Sequence, residues 1–175
     1  PNPLLLDWVS ERTNLAGKKA ITIGCGLGDD AEALAQQGFQ VTAFDISPSA
    51  IAMCQQRYPD SPVEYLVTDL FDTPAEWRQG FDLVYECNTI QILKGPSRIQ
   101  AVKAISDLVT PGGEVLVSCR SREAGLQSDT FPLALDRDEI DGFKRAGLFE
   151  THFVAYDDDQ EPPVPHFFAV YNRPI

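Results

Sequence analysis

Three glycines and two aspartates carry the clearest chemical signal in this chain. Ala20-Ile21-Thr22-Ile23 is a short apolar run that breaks into Gly24-Cys25-Gly26-Leu27-Gly28 and then opens on Asp29-Asp30-Ala31. Glycines at such a turn let backbone approach a ligand closely, and a helix starting just after them offers unpaired N–H groups. A second apolar run, residues 40–44, ends in Asp45, 21 positions after Gly24. A carboxylate there can accept hydrogen bonds from two ribose hydroxyls, so the pattern points to a nucleoside-bearing ligand. A dinucleotide fingerprint, G-x-G-x-x-G, would want a third small residue at position 29. Asp29 stands there instead, and would set a negative charge against a pyrophosphate.

Other reactive residue types are sparse. Cys25, Cys54, Cys87 and Cys119 show no C-x-x-C pairing and no close spacing with histidine, so no metal site is expected and reduced thiols are. Cys25, Cys87 and Cys119 fall at or just after strand ends, where they could gather, but small buried thiols are commonplace. The two histidines, His152 and His166, both fall in the last two strand patterns and read as structural or solvent-facing. With no histidine in a site loop, no catalytic base is assigned. Trp8 and Trp77 read as packing residues, and the acidic run Asp157-Asp158-Asp159-Gln160-Glu161 as a solvated loop.

The elements that must position these groups alternate regularly between strand and helix. Residues 4–11 read as an amphipathic helix, 20–23 as a strand, 30–37 as a helix closed by Gly38, and 40–44 as a second strand. Ser47 caps a helix that carries Pro48 at its first position and runs to about Arg57. Residues 63–67, 81–85 and 114–118 are further strands. Between the last two, a helix from Pro96 to Val109 sets Ile99, Val102, Ile105 and Val109 on one face, before the turn Pro111-Gly112-Gly113. Asp136 and Glu139 form a capping box for a helix reaching Ala146-Gly147. Residues 149–156 and 166–172 are strands with no helix between them, which makes an antiparallel hairpin. Helical connections place the first five strands in a doubly wound sheet, with ligands at its C-terminal edge.

The bulk numbers agree with one globular α/β domain. The chain has 175 residues, 43% hydrophobic and 23% charged. No apolar run is long enough to cross a membrane, and no charged-then-apolar leader precedes the first helix, so a cytoplasmic protein without a membrane partner is expected. The net charge of −12, from 14 basic against 26 acidic residues, argues against nucleic acid and for a small-molecule acceptor. The chain opens on Pro1-Asn2-Pro3 without an initiator methionine and is read as trimmed; nothing in it fixes an oligomeric state.

Taken in order, these motifs resemble the class I S-adenosylmethionine-dependent methyltransferases, over nearly the whole chain from Lys18 to about Tyr171. Ile23-Gly24-Cys25-Gly26-Leu27-Gly28-Asp29 resembles that family's glycine-rich motif, and Phe44-Asp45-Ile46-Ser47-Pro48 the motif of its ribose-binding acid. Thr68-Asp69-Leu70-Phe71 is similar to the loop whose acid meets the adenine amino group. Phe81 to Glu86 resembles the fourth strand, and Leu108 to Gly113 the turn before the fifth. The resemblance implies a doubly wound, mostly parallel, seven-stranded Rossmann-like sheet with a C-terminal antiparallel hairpin. It implies S-adenosylmethionine as cofactor, held by Gly24, Cys25, Gly26, Gly28, Asp45, Ile46, Asp69, Leu70 and Phe71. Glu86 and Asn88, with Tyr85, would lie near the sulfonium at the end of the fourth strand. Arg98 would face an anionic acceptor or cap carbonyls, and Phe131-Pro132-Leu133 would wall the acceptor pocket. More narrowly, Gly24 to Ala31 with Asp69 to Asp72 is similar to methyltransferases of the thiopurine S-methyltransferase and tellurite-resistance types. Those enzymes act on soft nucleophiles such as thiols, which need no base, and carry an N-terminal segment that closes over the cofactor. One methyltransferase domain, 1–175, with an incomplete N-terminal lid is the expectation. The competing readings are an NAD(P)-dependent oxidoreductase and a catalytically silent cofactor-binding regulator.

Overall fold

The computed structural model describes residues 1–175. A short helix, α1 (Pro3–Ser10), precedes an alternation of β1 (Lys19–Ile23), α2 (Asp29–Gln36), β2 (Gln40–Asp45), α3 (Pro48–Arg57) and β3 (Glu64–Val67). The chain then returns to the middle of the sheet for β4 (Phe81–Cys87), α4 (Gly95–Ser106) and β5 (Val109–Arg120). Two single-turn helices, α5 (Arg137–Ile140) and α6 (Gly142–Arg145), lead to β6 (Phe149–Asp157) and β7 (Pro165–Asn172). The seven strands lie in the order β3-β2-β1-β4-β5-β7-β6. β7 inserts between β5 and β6 and runs antiparallel to both. It is therefore the one reversed strand, and its first residues lie at the C-terminal edge of the other six.

Both faces of the sheet are covered, which is why its central strands read as unbroken apolar runs. On one face Ile21, Ile23, Val84, Val115, Val117, Ala169 and Tyr171 pack with Val102 and Ile105 of α4 and Phe143 of α6 in a cluster of 21 buried residues. On the other, Leu83, Tyr85, Leu116, Phe168 and Val170 meet Leu5, Trp8 and Val9 of α1, Leu34 of α2 and Ile51 of α3 in a cluster of 19. Alternate residues of each strand serve alternate clusters, as the pleat requires. The two tryptophans pack as expected: Trp8 is buried under the Arg12 guanidinium, and Trp77 leans on Phe44 and Phe81.

Three local expectations need correction. Ile99 is 73% exposed, and the buried face of α4 is built instead on Arg98, Ala101, Val102 and Ile105. Val109 does not belong to α4 but starts β5, and the Pro111-Gly112-Gly113 turn sits inside that strand as an irregularity, pairing jumping from Phe81–Val109 to Leu83–Glu114. The capping box at Asp136 forms as expected, with Asp136 Oδ1 accepting from the Glu139 amide and Glu139 Oε2 from the Asp136 amide. The helix it starts lasts one turn and restarts at Gly142, so 136–147 is two short helices rather than one.

Candidate functional site

The chain reverses its winding direction between β1 and β4, and ligands of open α/β sheets bind at that switch point. A cavity of about 790 Å³ opens there. The turn after β1 supplies its floor through Gly24, Cys25 and Gly26; β4 and its following residue supply Tyr85, Cys87 and Asn88. Pro1 to Leu4 cross over it, pinned where the Asn2 amide donates to Asp30 (2.7 Å) and the Asn2 side chain to Ser118 Oγ (3.0 Å). On the far side stand Tyr156, Asp157, Asp158, Asp159 and His166 of the β6–β7 hairpin.

The glycine turn is knitted to both neighbouring loops. Gly24, Gly26 and Gly28 all have left-handed backbone, with φ of +58°, +55° and +85°. The Thr89 hydroxyl, donating to the Ile23 carbonyl at 3.1 Å, fills the space where a Cβ on Gly24 would stand. Asp45 accepts from the Gly26 amide at 3.1 Å and from the Ser47 amide at 2.9 Å, so its carboxylate is fixed beside the turn. The next strand outward, β3, ends beside Asp45, and Asp69 follows with its carboxylate accepting from the Phe71 amide at 2.9 Å. Ile46 and Phe71 are exposed at the same sheet edge. Gly24, Cys25, Gly26 and Asn88 thus line the cavity itself. Asp45, Ile46, Asp69, Leu70 and Phe71 flank it along β2 and β3, and Gly28 lies behind the turn against Tyr65 and Cys54.

Glu86 departs from the expectation. Neighbouring strand residues point to opposite faces, so with Tyr85 and Cys87 in the cavity Glu86 faces the other core, fully buried. Its Oε1 accepts from the Thr89 and Ile90 amides, while Oε2 has no partner. Burial drives its carboxyl up to about 7, against the pull of the two amides and of Arg98. Glu86 shapes the loop that carries Asn88 rather than touching the cavity. Asn88 has φ +65°, the conformation that loop demands.

Arg98 proves to be a carbonyl cap, not an anion receptor. It is 5% exposed and donates to the carbonyls of Ile90 (3.2 Å) and Leu133 (2.7 Å) and to Glu139 (2.7 Å). Leu133 is buried with it, while Phe131 is 72% exposed, and neither lines the cavity. Cys25 and Cys87 do line it, but burial raises their thiols to about 12 and about 11, so both stay protonated and poorly nucleophilic near neutral pH. The Tyr85 hydroxyl, also facing the cavity, is buried without a hydrogen-bond partner.

Sequence reasoning missed the hairpin's share of the site. His166 is a cavity residue, stacked on Tyr156 (ring centroids 5.4 Å apart, planes 23° apart), and three aspartates of the supposed solvated run line the same space. The signal was faint: only the insertion of β7 beside β5 carries His166 to the sheet's C-terminal edge, opposite Arg120.

Comparison with known proteins adds to this geometry. The family described as "Methyltransferase domain" matches residues 20–113, from β1 into β5 and more than half of the chain. Among curated proteins, the ubiquinone biosynthesis O-methyltransferase of Pseudomonas syringae pv. tomato is 37% identical over 123 residues, covering 69% of this chain and 52% of that protein. Its Chromobacterium violaceum counterpart is 35% identical over 125 residues, covering 70% and 53%. The chain thus spans about half the length of the curated relatives it matches. Among solved structures, the N-methyltransferase NodS from Bradyrhizobium japonicum superposes with a TM-score of 0.76 at 22% identity, covering 98% of this chain and 92% of that one. A Methanosarcina mazei S-adenosylmethionine-dependent methyltransferase reaches 0.81 at 12% identity, covering 100% and 99%. The cyclase SpnF also reaches 0.81, at 17% identity, covering 98% and 80%. These likenesses establish the fold and leave the reaction to the site. From the family match and the ordered motifs, the chain belongs to the methyltransferase-domain family of S-adenosylmethionine-dependent enzymes.

Proposed function

We propose that this chain transfers the methyl group of S-adenosylmethionine to a hydroxyl oxygen of a small aromatic acceptor. One observation carries the reading: a single cavity joins the glycine turn and Asn88 to the aromatic wall of Tyr85, Tyr156 and His166. The cradle suits the donor. Gly26 leaves open space where a side chain would begin, the Asp45 carboxylate is held beside it for the ribose, and the Tyr85 hydroxyl lacks a partner. In this reading Gly24, Cys25 and Gly26 take the methionyl end, Ile46, Asp69, Leu70 and Phe71 the adenine, and Asn88 the neighbourhood of the sulfonium. Gly28 completes the turn, and Glu86 acts only through the 88–90 loop. When bound, the donor supplies an electrophilic methyl on a positively charged sulfur.

The acceptor class rests on the opposite wall. Flat aromatic side chains stack flat ligands, and the aspartates at the rim disfavour an anionic one. A thiol acceptor needs no base and would suit a site without a histidine; this cavity holds His166. The curated relatives that match about two thirds of this chain are oxygen methyltransferases by name, which supports oxygen over the sulfur acceptors of the thiopurine type.

Single-turnover formation of S-adenosylhomocysteine with a catechol, a thiophenol and an aromatic amine tests the reading. Transfer to the catechol oxygen is expected. Transfer to the thiophenol alone would return the acceptor to the soft nucleophiles, and donor binding with no transfer to any acceptor would make the chain a silent cofactor binder.

A further inference from the structure

We infer that His166 is the general base that takes the proton from the acceptor's hydroxyl, with Asp158 as its positioning residue; the inference rests on the oxygen-acceptor reading above. The imidazole Nδ1 lies 2.8 Å from the Val164 carbonyl, which can only accept, so Nδ1 carries the hydrogen. In the neutral ring the lone pair is then on Nε2. Asp158 Oδ2 sits 3.8 Å from the same Nδ1 and favours the imidazolium that forms when Nε2 takes a proton. That carboxylate is itself fixed. Its Oδ1 accepts from the Gln160 amide (3.1 Å) and the Val164 amide (2.9 Å), and its Oδ2 from the Gln160 side chain.

Position favours the same assignment. Across β1-β4-β5-β7 the strand spacing sets His166 about 14 Å from the glycine turn and about 10 Å from the end of β4. A methyl donor lying over β1 and β4 leaves room for one aromatic ring between its sulfur and the imidazole. The other groups around the ring are Tyr156 of β6, stacked on it, and Arg120 of β5, its register partner. Asp157 and Asp159 flank Asp158, while Asp29 and Asp30 of α2 and the Cys87 thiol of β4 line the same cavity. Burial holds the Tyr156 and Tyr85 phenols and the Cys87 thiol protonated. Asp29 is engaged by Arg57 and Tyr58, and Asp30 by the Asn2 amide. Among these groups the imidazole alone offers an unprotonated nitrogen with its lone pair facing the cavity.

The step balances. Nε2 takes the hydroxyl proton as the acceptor oxygen bonds to the methyl carbon, the methyl–sulfur bond breaks with its electron pair going to sulfur, and the imidazolium later releases the proton to water. A phenol ionises near pH 10, so about one in a thousand is anionic at pH 7 and a base is needed; an aromatic thiol is ionised already.

The test compares His166→Gln and His166→Asn with the parent protein on a catechol and on a thiophenol. Each variant should lose about 100-fold or more in kcat on the catechol and at least about tenfold less than that on the thiophenol, whose binding to the same wall is also disturbed. The parent's catechol rate should fall on acidification as the base is protonated, and in the variants the profile should follow the acceptor's own ionisation instead. Nitrogen-15 spectra of the ligand-free protein should show His166 protonated at Nδ1 alone at pH 8. Asp158→Asn should lower kcat on the catechol more than on the thiophenol. Equal losses on both acceptors, an unchanged pH profile, a ring protonated at Nε2, or a catechol-specific loss in Asp157→Asn instead would each overturn the assignment. If the parent itself methylates no oxygen, the acceptor reading fails before His166 is reached, and the nitrogen-15 arm still reports on the tautomer.

Discussion

A methyl group added at Gly26 and one added at Gly28 would enter different surroundings, two residues apart on the same turn. At Gly26 it would meet nothing within 4 Å, at the edge of the cavity. At Gly28 it would stand 2.6 Å from the Tyr65 hydroxyl and 3.2 Å from the Cys54 sulfur. Both backbones are left-handed, which costs an alanine about 1–2 kcal/mol. Gly28→Ala adds an overpacking cost of about 1–3 kcal/mol, because the Tyr65 hydroxyl is held by Glu32 at 2.6 Å and cannot easily swing away. Thermal melts should therefore show Gly28→Ala clearly the less stable of the two. Gly26→Ala should melt only a few degrees below the parent, yet bind S-adenosylhomocysteine about tenfold or more weakly by calorimetry, since the lost close approach is worth at least about 1.4 kcal/mol. If Gly26→Ala bound the nucleoside normally, the cradle would not be where the donor's backbone contacts are made.

At the scale of elements, β4 decides which side chains reach the site and which support it. Its alternation sends Tyr85 and Cys87 to the cavity and Glu86 into the opposite core, where the carboxyl is raised from 4.5 to about 7 mainly by burial. The sign follows from proton counting. Between those two values the folded protein keeps a proton that the unfolded chain has released, so folding is penalised progressively as pH rises from about 4.5 to about 7 and no further above it. The gap corresponds to roughly 3 kcal/mol at the high-pH limit. Glu86→Gln mimics the protonated form, still offers an oxygen to the Thr89 and Ile90 amides, and should melt higher than the parent above pH 7. The two proteins should converge near pH 4.5; a constant offset across that range would mean that Glu86 does not titrate in the fold. The period-two rule argues against the sequence reading that set Glu86 beside Tyr85 at the sulfonium, because the two cannot share a face. Much else was legible from local signals: the alternation of strands and helices, the Ser47 and Asp136 caps and the glycine turn appear in the fold, while the face of α4 and the extent of the helix after Asp136 do not follow the sequence reading. His166 was not legible, because its place depends on β7 sliding between β5 and β6, a pairing no local pattern encodes. Nor was the burial of Arg98 over Ile99, since this guanidinium enters the core only where two carbonyls and a carboxylate from three separate segments converge on it.

At the scale of the whole molecule, charge bears on which ligand the cavity holds best. The chain carries −12, and Asp29, Asp30, Asp157, Asp158 and Asp159 all line the cavity; Asp29 is paired with Arg57 at 2.9 Å and Asp158 lies 3.8 Å from the His166 imidazole. A cleft lined by one sign of charge concentrates counter-ions of the other. The methyl donor is cationic at sulfur, whereas S-adenosylhomocysteine has lost that charge, so the field draws in the substrate and favours release of the product. Salt separates the two. Raising ionic strength from about 0.01 M to about 1 M shortens the screening length from about 30 Å to about 3 Å. Titration calorimetry should then show the Kd of S-adenosylmethionine rising by about three- to tenfold and that of S-adenosylhomocysteine by less than about twofold. Asp157→Asn combined with Asp159→Asn, on the exposed hairpin, should flatten the first slope without altering the second. Equal slopes for the two ligands would mean that the carboxylates are too well hydrated to act on the sulfonium, and selection of donor over product would then rest on short-range contacts at Asn88 and Tyr85 alone.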